Sequence, residues 1–183
     1  VELLNSKITS SSVFNGGPAT GKTVLAIMKT TRLILDGKKC LLITLSSLSS
    51  KYIKHIFRRC GICEDYCMSY REFEISPHSY DFILLDDSDH YTLEQIQKIK
   101  IWSDHQILFG NYDHSMLHDD GKAMMPDICR VLNCSTYSLY KHCGVPEDFR
   151  KLTSHCTKPL TISNSSLHSQ LPTISRIGSI EKQ

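Results

Sequence analysis

Gly16-Gly17-Pro18-Ala19-Thr20-Gly21-Lys22-Thr23 is the stretch that decides how this 183-residue chain is read. It meets the phosphate-binding P-loop pattern G-x-x-x-x-G-K-[ST] at every fixed position. Glycines at both ends let the backbone curl, so that successive N–H groups point inward as a nest for an anion. Lys22 then brings a point charge to the β- and γ-phosphates, and the Thr23 hydroxyl is placed to join the shell of a Mg²⁺ ion. A helix starting at Lys22 adds the positive end of its dipole. The expected ligand is a nucleoside triphosphate.

Such a loop needs a strand before it and a helix after it. Ser12-Val13-Phe14-Asn15 supplies a short apolar entry. Val24, Leu25, Ile27, Met28, Ile34 and Leu35 predict a helix with a wide apolar face, stopped by Asp36-Gly37. Cys40-Leu41-Leu42-Ile43-Thr44-Leu45 is a continuous apolar run of the kind a buried parallel strand requires. The hydroxyls of Ser46 to Ser50 suit a loop and a helix cap. The helix they open has an apolar stripe of Ile53, Ile56, Phe57 and Cys60, with Lys51, Lys54, His55 and Arg58 on the other side. Six Lys/Arg and no acid fall between Lys38 and Arg59. A solvated helix face and a phosphodiester contact both fit that run.

Residues 61 to 80 are irregular by pattern, with a short strand or turn at Met68 to Phe73. Tyr80-Asp81-Phe82-Ile83-Leu84-Leu85-Asp86-Asp87 then reads as a Walker B strand. It carries Asp86 to the tip of the sheet, where it can hold Mg²⁺, and sets Asp87 where a general base for the attacking water would sit. Thr92-Leu93-Glu94-Gln95 is a capping box opening a helix through Ile96 and Ile99. His105 to Phe109 is another strand, Pro126 starts a short helix through Ile128, Val131 and Leu132, and Ser135 to Tyr140 alternates as a last strand. Pro146 to Leu152 opens a final helix. Residues 159 to 183 are Ser/Thr-rich and aperiodic, a linker or tail after a domain spanning 1 to 158. Strands alternating with helices predict a P-loop α/β sandwich with a mainly parallel sheet.

Composition sets limits on this reading. A content of 40% hydrophobic and 22% charged residues is ordinary for a globular chain. The net charge of +2 assigns any nucleic-acid contact to a local patch. No apolar run approaches the roughly 18 residues of a membrane span. Val1-Glu2-Leu3-Leu4-Asn5 lacks an initiator Met and the pattern of a signal peptide, so a piece of a longer protein in a reducing compartment, cytoplasm or nucleus, is expected. Cys60-Gly61-Ile62-Cys63, followed by Cys67, has half the spacing of a zinc site; free thiols and a metal both remain open.

The order of these pieces resembles the first RecA-like domain of UvrD/Rep-like superfamily 1 helicases. Residues 16 to 23 look like motif I, commonly GPAGTGKT; Leu42-Ile43-Thr44-Leu45-Ser46 sits where motif Ia runs. Asp86-Asp87-Ser88-Asp89-His90 is similar to motif II, usually DEAQD or DEAQH, and Phe109-Gly110-Asn111-Tyr112-Asp113-His114 to motif III, usually GDxxQ. Leu139 to Phe149 is similar to motif IV, of the form LxxNYRxPxxI. The similarity covers residues 13 to 156. It implies ATP and Mg²⁺ as cofactors, with Lys22, Asp87 and His114 as the catalytic set. It also implies a single-stranded DNA or RNA surface at Thr44, Ser46, Ser47, Lys51 and Lys54, and a second RecA-like domain or partner chain to complete the site. The departures fall on the chemistry. Asp87 replaces a glutamate, Asp89 and His114 each replace a glutamine, Asn111 replaces an acid, and Gly144 stands where motif IV carries arginine. An arginine there is worth about 10³–10⁵ in rate, and a catalytic group misplaced by about 1 Å can cost about 10²-fold. The resemblance therefore implies binding with weak hydrolysis, or a nucleotide-binding regulatory module without significant turnover.

Overall fold

The computed structural model describes residues 10–112 and 122–139, which all belong to one compact unit, Val1–Gly144. Among them six strands form one sheet: β1 (Ser12–Gly16), β2 (Cys40–Thr44), β3 (Cys67–Ser69), β4 (Tyr80–Leu85), β5 (Ser103–Gly110) and β6 (Ser135–Leu139). Their order is β3-β2-β4-β5-β1-β6 and every neighbouring pair is parallel. Parallel pairing sends all carboxyl ends to one edge, so the loop after β1 and the acids after β4 share that edge. Five helices connect the strands: α1 (Lys22–Leu35), α2 (Ser47–Arg59), α3 (Tyr70–Ile75), α4 (Leu93–Lys100) and α5 (Met125–Leu132).

Period-2 alternation divides the strand side chains between two apolar layers. Phe14, Leu42, Leu84, Ile107 and Phe109 pack against Ala26 and Leu33 of α1 and Ile53 and Phe57 of α2. Val13, Leu41, Ile43, Ile83, Leu85 and Leu108 pack against α3, α4 and α5 through Phe73, Ile96, Ile99 and Ile128. Burial on both faces explains the unbroken apolar runs in β2 and β4. The architecture is the expected RecA-like P-loop α/β sandwich. Within it, β1 is clamped from both sides: the Phe14 ring stacks on Phe109 of β5 at 5.0 Å between centroids and on Tyr137 of β6 at 4.9 Å.

Several details depart from the sequence reading. In α1 the buried stripe is Ala26, Lys29, Thr30 and Leu33, while Val24, Met28 and Leu35 are exposed. Ala26, Thr30 and Leu33 follow a spacing of four and three, and the smaller side chains let the helix lie close on the sheet; the Thr30 hydroxyl is satisfied by the Ala26 carbonyl at 2.8 Å. Cys60 is not on the apolar face of α2. It is the exposed C-cap, because a Schellman turn through Gly61 (φ 71°) ends the helix there, with the Ile62 N–H on the Phe57 carbonyl at 2.9 Å. Cys63 is also exposed whereas Cys67 is buried in β3, and among the described residues no three His, Cys, Asp or Glu gather around a metal position.

The region read as irregular holds a 3₁₀ turn (Glu64–Tyr66), β3 and α3. A capping box organises it: the Ser69 N–H reaches Glu72 Oε2 at 2.7 Å and the Glu72 N–H reaches Ser69 Oγ at 3.4 Å. The capping box at Thr92 and Gln95 forms as expected. No helix among the described residues is long and apolar enough to cross a membrane. Tyr140, the helix expected from Pro146 and the 159–183 tail lie outside the described residues.

Candidate nucleotide-binding site

The loop Gly17 to Gly21 leaves the clamped end of β1 and enters α1 directly. Two positions fix its shape. A Cβ on Gly16 would stand 2.6 Å from Thr20 Oγ1 and 2.8 Å from Leu139 Cβ, so only glycine lets the loop fold back here. Gly21 takes φ 84°, in the left-handed region. The space around Gly17, by contrast, would admit a side chain. Ala19 also has φ 57°, at the position where the GPAGTGKT form carries glycine. A non-glycine residue so placed stores about 1–3 kcal/mol of backbone strain.

The loop's polar groups are then drawn together. The Thr20 hydroxyl donates to the Gly17 carbonyl at 2.8 Å, and Lys22 Nζ donates to the Gly16 and Gly17 carbonyls at 2.7 and 2.9 Å. Ser46, Ser69 and Thr92 cap α2, α3 and α4 with their side chains, but α1 begins at Gly21 with no side-chain cap and no acid in its first turn. Its N–H groups are left for an anion.

Asp86 follows β4 at the same edge, its N–H bound to the Ile43 carbonyl of β2 at 3.0 Å. Its side chain is 2% exposed. The carboxyl takes hydrogen bonds from the Thr23 hydroxyl and the Asp87 N–H, yet Oδ1 has no partner among the described residues. Burial, and then the nearby Asp87 charge, push the Asp86 carboxyl up to about 6. An orphaned, buried carboxylate oxygen beside a threonine hydroxyl fits a hard divalent cation, which prefers oxygen ligands. Thr23 and Asp86 would hold Mg²⁺, which supplies charge neutralisation of the phosphates when bound. Lys22 is held below its ordinary value by burial, against the opposing charges of Asp89, Asp87 and Asp86 in that order. Through Lys22 and Thr23 the loop thus meets Asp86 and Asp87 at one place. Asp87 heads the 3₁₀ turn Ser88–His90 with φ 52°. His114 lies outside the described residues, as do Gly144 and most of the motif IV stretch.

The surface expected for nucleic acid is only partly assembled. Ser46, Ser47 and Lys51 are exposed at the start of α2. Thr44 does not belong to it: strand pairing buries the residue, and its hydroxyl donates to the Ser46 carbonyl at 2.9 Å. Lys54 is turned toward α3 and ion-paired to Glu72 at 3.8 Å. No aromatic there stands out in the sequence, but Tyr52 is 63% exposed, one turn after the still more exposed Leu48. Its spacing from the buried Ile53 and Phe57 was the available signal. Also unforeseen is the contact of Tyr112 with Asn15 and Ser88, which leaves no periodicity in a sequence.

No family model matches the chain, and no curated protein matches it by sequence. Among solved structures, it is similar to Bacteroides Pif1 bound to single-stranded DNA, at 12% identity over 84% of this chain and 44% of that one, with a TM-score of 0.49. The Pyrococcus furiosus Hef helicase domain matches at 10% identity over 76% of this chain and 37% of that chain, TM-score 0.49. AMPPCP-bound DnaA from Aquifex aeolicus matches at 14% identity over 86% of this chain and 49% of its own, TM-score 0.45. The chain therefore spans less than half the length of each of these three.

The raised Asp86 carboxyl gives a signed expectation. Without ligand, the folded protein holds this proton more tightly than the unfolded chain, so its contribution is full below about pH 4 and is lost as pH rises through about 6. Asp86→Asn removes the cost of the buried charge and should raise the melting temperature more at pH 7 than at pH 4.5. An equal gain at both pH values would contradict the buried carboxylate.

Proposed function

We infer that the chain binds a Mg²⁺–nucleoside triphosphate, ATP, in the loop Gly16–Thr23, as the first RecA-like domain of a superfamily 1 helicase-like protein. The observation that carries this is Asp86 Oδ1, without a partner among the described residues and buried beside Thr23 at the lip of a helix with no side-chain cap. Loop amides and Lys22 would take the β- and γ-phosphates; Thr23 and Asp86 would take the metal. The loop carbonyls that Lys22 now occupies are what it would exchange for phosphate oxygens. Hydrolysis would be slow. Asp87 is a shorter acid than the family's glutamate and sits in a left-handed turn, and closure by a second RecA-like domain or a partner chain would be needed to complete the site. The same feature favours the second reading, in which ATP binding regulates an assembly and turnover is negligible.

Single-stranded nucleic acid would run over the start of α2. Ser46, Ser47 and Lys51 would meet the phosphates and Tyr52 would offer a face on which a base can stack.

Two measurements test these readings. Hydrogen bonds to charged groups are worth about 1.5–3 kcal/mol, so Lys22→Ala should weaken Mg-ATP binding in calorimetry about 10- to 100-fold. Unchanged affinity would refute the phosphate site. In a fluorescence titration with labelled oligonucleotide, Tyr52→Ala should cost about 1–3 kcal/mol at either of two salt concentrations, and Lys51→Ala should lower the salt slope by about 0.7 for a single strand. Absence of binding at low salt would remove nucleic acid from the account.

A further inference from the structure

Three segments far apart in sequence meet behind the acids of the site. Tyr112, 4% exposed, donates its main-chain N–H to Asn15 Oδ1 at 3.0 Å, one residue before β1 ends in the phosphate loop. Its hydroxyl donates to Ser88 Oγ at 2.8 Å. Ser88 is wholly buried and lies between Asp87 and Asp89. The end of β5 closes on the same turn: a Cβ on Gly110 would stand 2.9 Å from the Asp89 nitrogen, from Ser88 Oγ and from the Tyr112 ring.

The turn so gripped is a strained one. Asp87 has φ 52°, and a residue held there persists only where its surroundings over-determine it. The side-chain bond between Tyr112 and Ser88 reaches into the middle of that turn. For apolar packing alone, a phenylalanine at 112 would serve as well as a tyrosine. The hydroxyl adds a link between the turn and the strand that carries the loop.

We propose that Tyr112 is a positioning residue that, through Ser88, holds Asp87 and Asp89 against the phosphate loop and sets how the site receives a metal-bound nucleotide. This rests on the Mg²⁺–nucleotide reading above. Tyr112 touches no ligand in this role. It acts through the turn, so its effect should appear in the metal-dependent part of binding and vanish when Ser88 is already altered.

The experiment is a double-mutant cycle on the full chain with Tyr112→Phe, Ser88→Ala and both together. Calorimetric titrations use ATP with Mg²⁺ and ATP with chelator, and each variant's melting temperature is recorded. A lost buried hydrogen bond of ordinary strength predicts that each single variant weakens Mg-ATP binding about fivefold and that the double variant is no weaker than either single one. Binding of ATP with chelator should stay within about twofold of the unmodified protein, which a general loosening of the core would not allow. The proposal is overturned if the unmodified chain binds Mg-ATP and both variants bind it equally well, if the two losses add, or if the variants only melt earlier. Should Tyr112→Phe fail to fold, the same comparison on Ser88→Ala alone decides it. If the unmodified chain itself binds no Mg-ATP, the nucleotide reading fails first, and that result is distinct from the others.

Discussion

Burying the Asp86 carboxylate is the constraint on which the site depends. An ionised group taken out of water must be compensated by charge or hydrogen bonds, or else it takes up a proton. Among the described residues Asp86 accepts hydrogen bonds only from Thr23 and the Asp87 main chain, with the Lys22 charge nearby, and its carboxyl is held up near 6. The fold imposes that position. A parallel sheet covered on both faces delivers the end of β4 into the interior of the carboxyl edge, two strands away from the end of β1. The phosphate loop is therefore brought to a buried carboxylate with one oxygen unpartnered among the described residues, a position that suits a divalent cation.

The same constraint explains why the surroundings are tied together so tightly. β1 is clamped by an aromatic ladder through Phe14, which fixes where the loop begins. The Asp87–His90 turn is approached closely by Gly110 and hydrogen-bonded by Tyr112 through Ser88. Three acids, Asp86, Asp87 and Asp89, surround a single lysine.

Much of this was legible in the sequence because the signals were local. The P-loop is eight consecutive residues, the Walker B strand is an apolar run ended by acids, and the Thr92–Gln95 capping box spans four positions. The α1 face was misread because counting large apolar residues picked Val24 and Met28, whereas contact with the sheet selected the smaller Ala26 and Thr30. The β3–α3 segment was legible only as a short strand or turn at Met68 to Phe73, because a three-residue strand and a six-residue helix carry no period, although Ser69 and Glu72 had the spacing of a cap. Thr44 entered the nucleic-acid surface through the resemblance alone; as the last residue of the apolar β2 run, paired with Ser69 of β3, it is buried. The Asn15–Tyr112–Ser88 connection joins residues more than 20 positions apart, and only the folded sheet makes it visible.

The most direct test is an amide-resolved nuclear magnetic resonance titration with Mg-ATP. If a main-chain nest and a buried acid together receive the nucleotide and its ion, the amides of Gly17, of Ala19 to Thr23 and of Asp86 to Ser88 should shift together, with one saturation curve. Substituting Mn²⁺ should then broaden the Thr23 and Asp86 signals first. Shifts confined to other parts of the sheet, or a loop that responds while Asp86 does not, would contradict the account.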